Sequence, residues 1–225
     1  MRLFSLLALF AVVAVGCQKT SNTSSMTSAE HQPGVAESAE QVRPIGVGAT
    51  APSATMETVD GQSTTLAKVY QAKPTALIFY RGGWCPYCNT HLAELAKNEA
   101  KLRELGFQVV GVSPDRPSEL AKSIGKNKLN YDLLSDADAE LAKAFGLAFK
   151  VDAPTIERYK GYGIDLEAAS GYDHHILPVP AVYLIDTDGK IQYAYWNADY
   201  KTRLSAEQLI AAASARPIGP WRPPR

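Results

Sequence analysis

Two periodicities alternate along the chain. Residues 75–80 read Thr-Ala-Leu-Ile-Phe-Tyr, a largely apolar run that predicts a strand buried on both faces. In residues 86–105, Leu92, Leu95, Ala96, Leu102 and Leu105 recur on one face, which predicts an amphipathic helix stopped by Gly106. Residues 107–112 predict the next strand, 117–124 a short helix with Ser118 and Glu119 near its start, and 131–134 a short strand. A further helix over 138–145 ends at Gly146. Residues 181–185 predict a strand, Asp186-Thr187-Asp188-Gly189 a turn, and 190–196 the hairpin partner. Ser205 caps a last helix to about residue 213, with Gln208 three positions on, as in a capping box. Upstream, Val59-Asp60-Gly61-Gln62 has turn chemistry between short extended pieces. The order βαβ, further αβ units, then ββα predicts an α/β fold with one central sheet.

Both ends break the pattern. Arg2 precedes an apolar run over residues 3–15, broken only by Ser5, and small residues lead to Cys17. That is the layout of a secretory signal, and the run is shorter than the roughly 18 residues that span a bilayer. Ala14-Val15-Gly16-Cys17 resembles the bacterial lipoprotein lipobox, in which the cysteine becomes the new N-terminus and carries the lipid. Ala14 stands where that motif usually has Leu, so cleavage at the same bond by an ordinary signal peptidase stays open. Gln18 in place of Asp resembles the signal for the outer membrane. Seven of the nine residues 20–28 are Ser or Thr, the composition of a flexible tether. The expected organisation is a signal at 1–16, lipid-attachment Cys17 and tether over 17–45, a domain over 46–215 and a Pro-rich tail over 216–225. The domain is then expected on the periplasmic side of the cell envelope, touching membrane only through the lipid.

Composition narrows the function classes. The chain has 225 residues, 46% of them hydrophobic and 20% charged, which supports a packed core. Its 23 basic and 23 acidic residues balance, so no electrostatic signature of nucleic-acid binding is present. Three cysteines are too few for a disulfide-stapled scaffold.

Candidate chemistry concentrates in Arg81-Gly82-Gly83-Trp84-Cys85-Pro86-Tyr87-Cys88, between the buried strand and the amphipathic helix. A helix N-terminus offers unpaired N–H groups and the positive end of the macrodipole, so a Cys85 thiolate is stabilised there. Arg81 adds positive charge, and Pro86 suits the first helical position. Cys88, one turn on, can close a disulfide with Cys85. Gly82 and Gly83 allow a sharp turn, and Trp84 can shield one side. Half of a zinc site and a structural disulfide are competing readings. The first lacks a second ligand pair, and the second constrains only a two-residue loop.

The region from Gly46 to about Ala213 resembles the thioredoxin-fold superfamily, and within it the peroxiredoxin-like AhpC/TSA branch (alkyl hydroperoxide reductase/thiol-specific antioxidant). Carrying the resemblance are Gly48-Ala49-Thr50-Ala51-Pro52, the strand into residues 79–88, Val109-Val110-Gly111-Val112-Ser113 and residues 182–190. It implies a thioredoxin-like fold, with a central mixed sheet flanked by helices and an insertion before the cis-proline strand. Cys85 is then the attacking cysteine, Cys88 the resolving one, and Val179-Pro180 the cis-proline beside the site. Three positions depart from the family. Gly82 stands where it places a Thr, Ile78 where it places a Pro, and Pro180 where it places an Arg. Two substrates therefore stay open, a peroxide or a disulfide, and both routes end in a Cys85–Cys88 bond that an external, thioredoxin-like thiol donor reduces. No bound cofactor or metal is required, and no dinucleotide or phosphate-loop pattern occurs.

Other candidates are weaker. His174 or His175 with Cys85 and Cys88 resembles a copper-delivery branch of the superfamily, against the reading of a solvated His pair. His91 is expected at the surface. Asp115 and Arg116 either line the site or cap the next helix. Tyr159, Tyr162 and Tyr172 enrich residues 151–177, which read as an insertion over the site.

Overall fold

The computed structural model describes residues 31 and 33–215, so the expected signal at 1–16, Cys17 and the tail at 216–225 lie outside the described residues. The elements run β1 (Val35–Ala36), a 3-10 turn (Ala39–Gln41), β2 (Thr55–Glu57), β3 (Ser63–Thr65), α1 (Leu66–Ala72), β4 (Thr75–Phe79) and α2 (Pro86–Glu104). They continue with β5 (Gln108–Ser113), α3 (Pro117–Asn127), β6 (Asp132–Ser135), α4 (Glu140–Ala144), β7 (Ala148–Lys150), α5 (Ala153–Gly161) and α6 (Leu166–Ser170). Last come β8 (Ile176–Pro178), β9 (Ala181–Ile185), β10 (Ile191–Trp196) and α7 (Ala206–Ser214).

Seven strands form the central sheet, in the order β10-β9-β4-β5-β6-β2-β3. The inner strands β4, β5 and β6 are parallel, and β9, β10, β2 and β3 add antiparallel pairs at the two sides. Side chains alternate across β4. Leu77 and Phe79 enter one core with Val110, Val112, Tyr183 and Ile185, while Ala76, Ile78 and Tyr80 enter the other with Val109, Leu133 and Val182. The second core is closed by Leu92, Leu95 and Leu102 of α2 and by Leu209 and Ala213 of α7. Each of those α2 leucines is fully buried, which contributes about 1.5–3 kcal/mol apiece relative to exposure. Cys85 and Cys88 belong to this same core, so the packing that fixes α2 also fixes the sulfurs.

The main strands and helices fall where the apolar periodicity puts them. Smaller elements between them carry no such pattern. α1, β7, α5, α6 and β8 are short, and β1, β7 and β8 build a separate three-stranded sheet. The tether expected over 17–45 does not extend to residue 45. Val35 and Ala36 pair in parallel with Ala148 and Phe149, and Val42 and Ile45 are buried in the first core. The fold thus begins before Gly46, because two isolated apolar residues are enough to anchor a segment that lacks any periodicity.

Residues 151–177, read from the sequence as an insertion, pack over the site. Val151, Leu166 and Leu177 make a small apolar cluster that takes in Trp84, Ile156 and Tyr159, so α5 and α6 pack against the CxxC loop. Of the three tyrosines, only Tyr159 reaches it, since Tyr162 and Tyr172 are exposed.

Candidate active site

Cys85 is the N-cap of α2 and Pro86 its first residue, where a missing N–H costs nothing. Both sulfurs are free thiols, and both residues are buried, at 2% exposure for Cys85 and 0% for Cys88. The Cys88 thiol donates to the Cys85 sulfur, which is the largest influence holding Cys85 below its ordinary range. The Cys88 N–H and the charges of Arg81 and Arg203 add to it against the cost of burial, bringing Cys85 down to about 6. Burial pushes Cys88 the other way, well above an ordinary thiol. The pair is therefore asymmetric, with a thiolate at the helix terminus and a proton-bearing thiol behind it.

The loop before Cys85 is held from three sides. Gly83 N–H donates to Asp115 Oδ2 (2.7 Å), Asn89 Nδ2 donates to the Gly83 carbonyl (2.8 Å), and Asn127 Nδ2 donates to Asn89 Oδ1 (2.9 Å). Glycine is required at both turning positions. Gly82 has φ +150°, and a Cβ there would fall on the Trp84 indole nitrogen and 2.8 Å from Asp115 Oδ1. A Cβ at Gly83 would fall on the Ser123 hydroxyl. Asp115 thus lines the site rather than capping α3, and burial pushes its carboxyl up to about 7. Arg116 occupies the N-cap position of α3 without a side-chain cap bond and pairs loosely with Glu119 at 3.6 Å.

Arg81 is buried and forms the other wall. Its Nη2 donates to the Tyr159 hydroxyl, and its guanidinium lies 4.1 Å from the Tyr200 ring centroid and 5.3 Å from that of Trp84. Trp84 packs on Tyr159 at 5.7 Å between ring centroids. Tyr87 is exposed and meets the edge of Tyr200 at 5.7 Å between centroids. Pro180 shares a cleft of about 260 Å³ with Arg81, Tyr159 and Tyr200. The expected cis bond before Pro180 is not found, because no peptide bond among the described residues is cis. A trans bond suits this place. Val179 N–H donates to the Leu147 carbonyl and the Pro180 carbonyl accepts from Asn197, which keeps the chain extended from β8 into β9.

Two residues escape sequence reasoning. His91 is buried, not at the surface, and its Nε2 meets the Leu204 carbonyl at 2.9 Å. A carbonyl only accepts, so the ring donates there, and burial lowers its basicity to about 4, which keeps it neutral. Arg203, in the loop between β10 and α7, donates from Nη2 to Cys88 Sγ at 3.3 Å. It lies 115 positions from Cys88, in a stretch without periodicity, and no local pattern marks it.

The histidine pair does not join the sulfurs. His174 Nε2 meets the Ala137 carbonyl (2.8 Å) and Nδ1 accepts from Ile176 N–H (2.9 Å), so both ring nitrogens are engaged. His175 Nε2 is 2.8 Å from Glu167 Oε1. Among the described residues no group of three His, Cys, Asp or Glu converges as metal ligands. A dithiol with one activated sulfur is what the arrangement offers, suited to attack on an oxidised atom followed by closure to a disulfide.

Comparison with known proteins agrees with this chemistry. Residues 47–194 match the model of the AhpC/TSA family. The chain is 29% identical over 163 residues to Peroxiredoxin Bcp of Escherichia coli, covering 72% of this chain and 90% of that protein. Reduced Prx3 of Vibrio vulnificus, solved in complex with H2O2, aligns with a TM-score of 0.62 at 20% identity, over 75% of this chain and 99% of that one. Peroxidoxin BcpB of Mycobacterium tuberculosis aligns with a TM-score of 0.58 at 21% identity, over 76% and 97%. The two structural likenesses establish the fold, a thioredoxin-like α/β arrangement with a central mixed sheet flanked by helices.

Proposed function

The chain belongs to the AhpC/TSA family, and on that premise we propose that it is a peroxiredoxin-type oxidoreductase that reduces peroxides through Cys85, with Cys88 as the resolving cysteine. The observation that carries this reading is the Cys85 thiolate at the N-cap of α2, accepting from the Cys88 thiol. In the reaction, the Cys85 thiolate attacks the terminal peroxide oxygen, the O–O bond breaks, the other oxygen leaves and takes up a proton as alcohol or water, and Cys85 becomes a sulfenic acid. Cys88 then displaces hydroxide to close the disulfide, and an external thioredoxin-like dithiol reduces it. The test is stopped-flow tryptophan fluorescence of the reduced full chain mixed with hydrogen peroxide, with Cys85→Ser as control. Trp84 adjoins the sulfur and reports the event. A Cys85-dependent rate far above that of a small dithiol is expected, and a rate no faster than the small dithiol overturns the reading.

A second reading, dithiol exchange with disulfide substrates, is favoured by one observation. The loop geometry at Gly82 leaves no room for the hydroxyl side chain that the family resemblance places there to hold a peroxide. Turnover of a model disulfide, outpacing that of hydrogen peroxide, decides for it. Copper binding by Cys85, Cys88 and His174 or His175 has no comparable support, given how His174 is bonded.

Export to the periplasmic side, through a signal at 1–16 and a lipid on Cys17, completes the proposal and rests on the sequence layout. Metabolic labelling with a fatty acid, lost in Cys17→Ser, tests it.

A further inference from the structure

On its C-terminal side, Arg203 is tied to the helix that carries the cysteines, and on its N-terminal side to a turn of its own loop. Next to it, the Leu204 carbonyl accepts from His91, and two positions further on Ala206 N–H donates to Glu94 Oε1 at 2.7 Å. Before it, Asp199 accepts from Lys201 N–H and the Thr202 hydroxyl in a tight turn. The loop therefore moves with α2, and the arginine keeps its place relative to Cys88.

What Arg203 does not do is equally informative. Among the described residues no carboxylate lies within ion-pair distance of it. Its Nε and Nη1 are buried and have no hydrogen-bond partner, and Nη2 reaches only the Cys88 sulfur. A guanidinium serving structure alone is normally paired or bonded to carbonyls when its nitrogens are buried. This one directs its charge at a thiol that must become a nucleophile.

We propose that Arg203 is a catalytic residue of the resolving step, donating to Cys88 Sγ while that thiol loses its proton and attacks the oxidised sulfur of Cys85. The proposal rests on the peroxide reading above. In the step, the Cys88 S–H and Cys85 S–O bonds break and the Cys85–Cys88 S–S bond forms. The hydroxide leaves with the Cys88 proton as water, Cys85 sulfur is reduced from the sulfenic to the disulfide level, and Cys88 sulfur is oxidised to the same level. Other groups around Cys88 work against a thiolate there or are weak. In the reduced pair burial raises the Cys88 thiol most, and its hydrogen bond to Cys85 and the charge of the Cys85 thiolate raise it further, while that charge is gone once Cys85 is a sulfenic acid. The Arg81 backbone N–H assists. Arg203 is the only formal positive charge in hydrogen-bond contact with Cys88 among the described residues.

The experiment is a single turnover of the full reduced chain with hydrogen peroxide, in wild type, Arg203→Met and Arg203→Lys, with sulfenic acid trapped by a cyclic dione and counted by mass spectrometry. In Arg203→Met the sulfenic acid is expected to persist on the order of tenfold longer, the loss of one charge-assisted hydrogen bond. Arg203→Lys should recover most of the wild-type rate. Decay at the wild-type rate in Arg203→Met overturns the proposal. Should that variant fail to fold, Arg203→Gln, which keeps N–H donors without charge, takes its place, and decay at the wild-type rate there overturns the proposal equally. A separate arm uses no peroxide. In a Cys17→Ser/Cys85→Ser background, where Cys88 is the one remaining cysteine, thiolate absorbance near 240 nm titrates Cys88, and its midpoint should rise on Arg203→Met. If wild-type Cys85 never forms a sulfenic acid, the peroxide reading fails. An unmoved Cys88 midpoint in this arm then overturns the role of Arg203 independently.

Discussion

His91 Nε2 donates to the Leu204 carbonyl oxygen across 2.9 Å, so the second turn of the cysteine-bearing helix holds the loop from which Arg203 reaches Cys88. His91→Ala removes the donor and leaves a buried carbonyl unpaired. A loss of about 1–3 kcal/mol in urea unfolding is expected. The variant also reports the ring's own titration. The neutral ring takes up a proton only near pH 4 when folded but near 6.5 when unfolded, so it contributes stability above the higher value that is lost as pH falls through this window. The difference in stability between wild type and His91→Ala should therefore shrink from pH 7 to pH 4.

For Cys85 the relevant window lies higher. Its thiol ionises near 6 when folded against 9.0 for the unperturbed group. Stability of the reduced chain should rise between those values, since the unfolded state holds the proton longer. The iodoacetamide reactivity of Cys85 should titrate with a midpoint near 6, and Cys88→Ala, which removes the donor, should move that midpoint upward. Alkylation rates across pH 4–10 check both. An unchanged midpoint in that variant would contradict the thiol-to-thiolate hydrogen bond.

Restoring the residue that the family resemblance places at position 82 should do harm. Gly82→Thr forces a β-branched side chain into φ +150° and against Trp84 and Asp115. A loss on the order of 2 kcal/mol and a slower reaction with peroxide are expected, measured by thermal melting and stopped flow. Faster turnover at unchanged stability would show that the loop can re-form around a hydroxyl.

Asp115 stays protonated up to about 7 in the folded chain and ionises near 3.8 when exposed, chiefly because it is buried. The folded state holds the proton longer, so this group's contribution favours folding at low pH and declines as pH rises from about 4 to 7. Asp136 carries the same sign for the same reason. Asp115→Asn should flatten the decline over this range in a comparison of denaturation midpoints, leaving the share that belongs to Asp136. It also tests the hydrogen bond from Gly83, because an amide oxygen can still accept it.

Legibility follows regularity. β4, α2, β5, β9 and α7 announce themselves because a two-sided or one-sided apolar pattern is repeated often enough to exclude alternatives. The CxxC loop is legible because a strand, two glycines and a proline at the first helical position fix its surroundings chemically. Val35 and Ala36 are not, since a two-residue strand has no period and gains its order from β7, more than a hundred positions away. Arg203 is hidden for a related reason. Its importance lies in a contact between distant segments, and nothing in residues 197–205 distinguishes it from any exposed loop arginine. His91 misleads because its helical spacing from Cys85 points to the surface, while α7, which covers that face, lies outside any local window.

Cys85 and Cys88 are three positions apart on one helix terminus, so a bond between them closes almost no chain and leaves the unfolded ensemble nearly unconstrained. Folding and oxidation are then linked through charge rather than through chain entropy. Whatever the fold contributes to the thiolate of Cys85 appears, around the thermodynamic cycle, as an equal preference for the reduced form and hence as a more oxidising couple. The redox poise of this protein is therefore written into a helix terminus, one neighbouring thiol and two arginines, and each can be changed without redesigning the sheet that supports them.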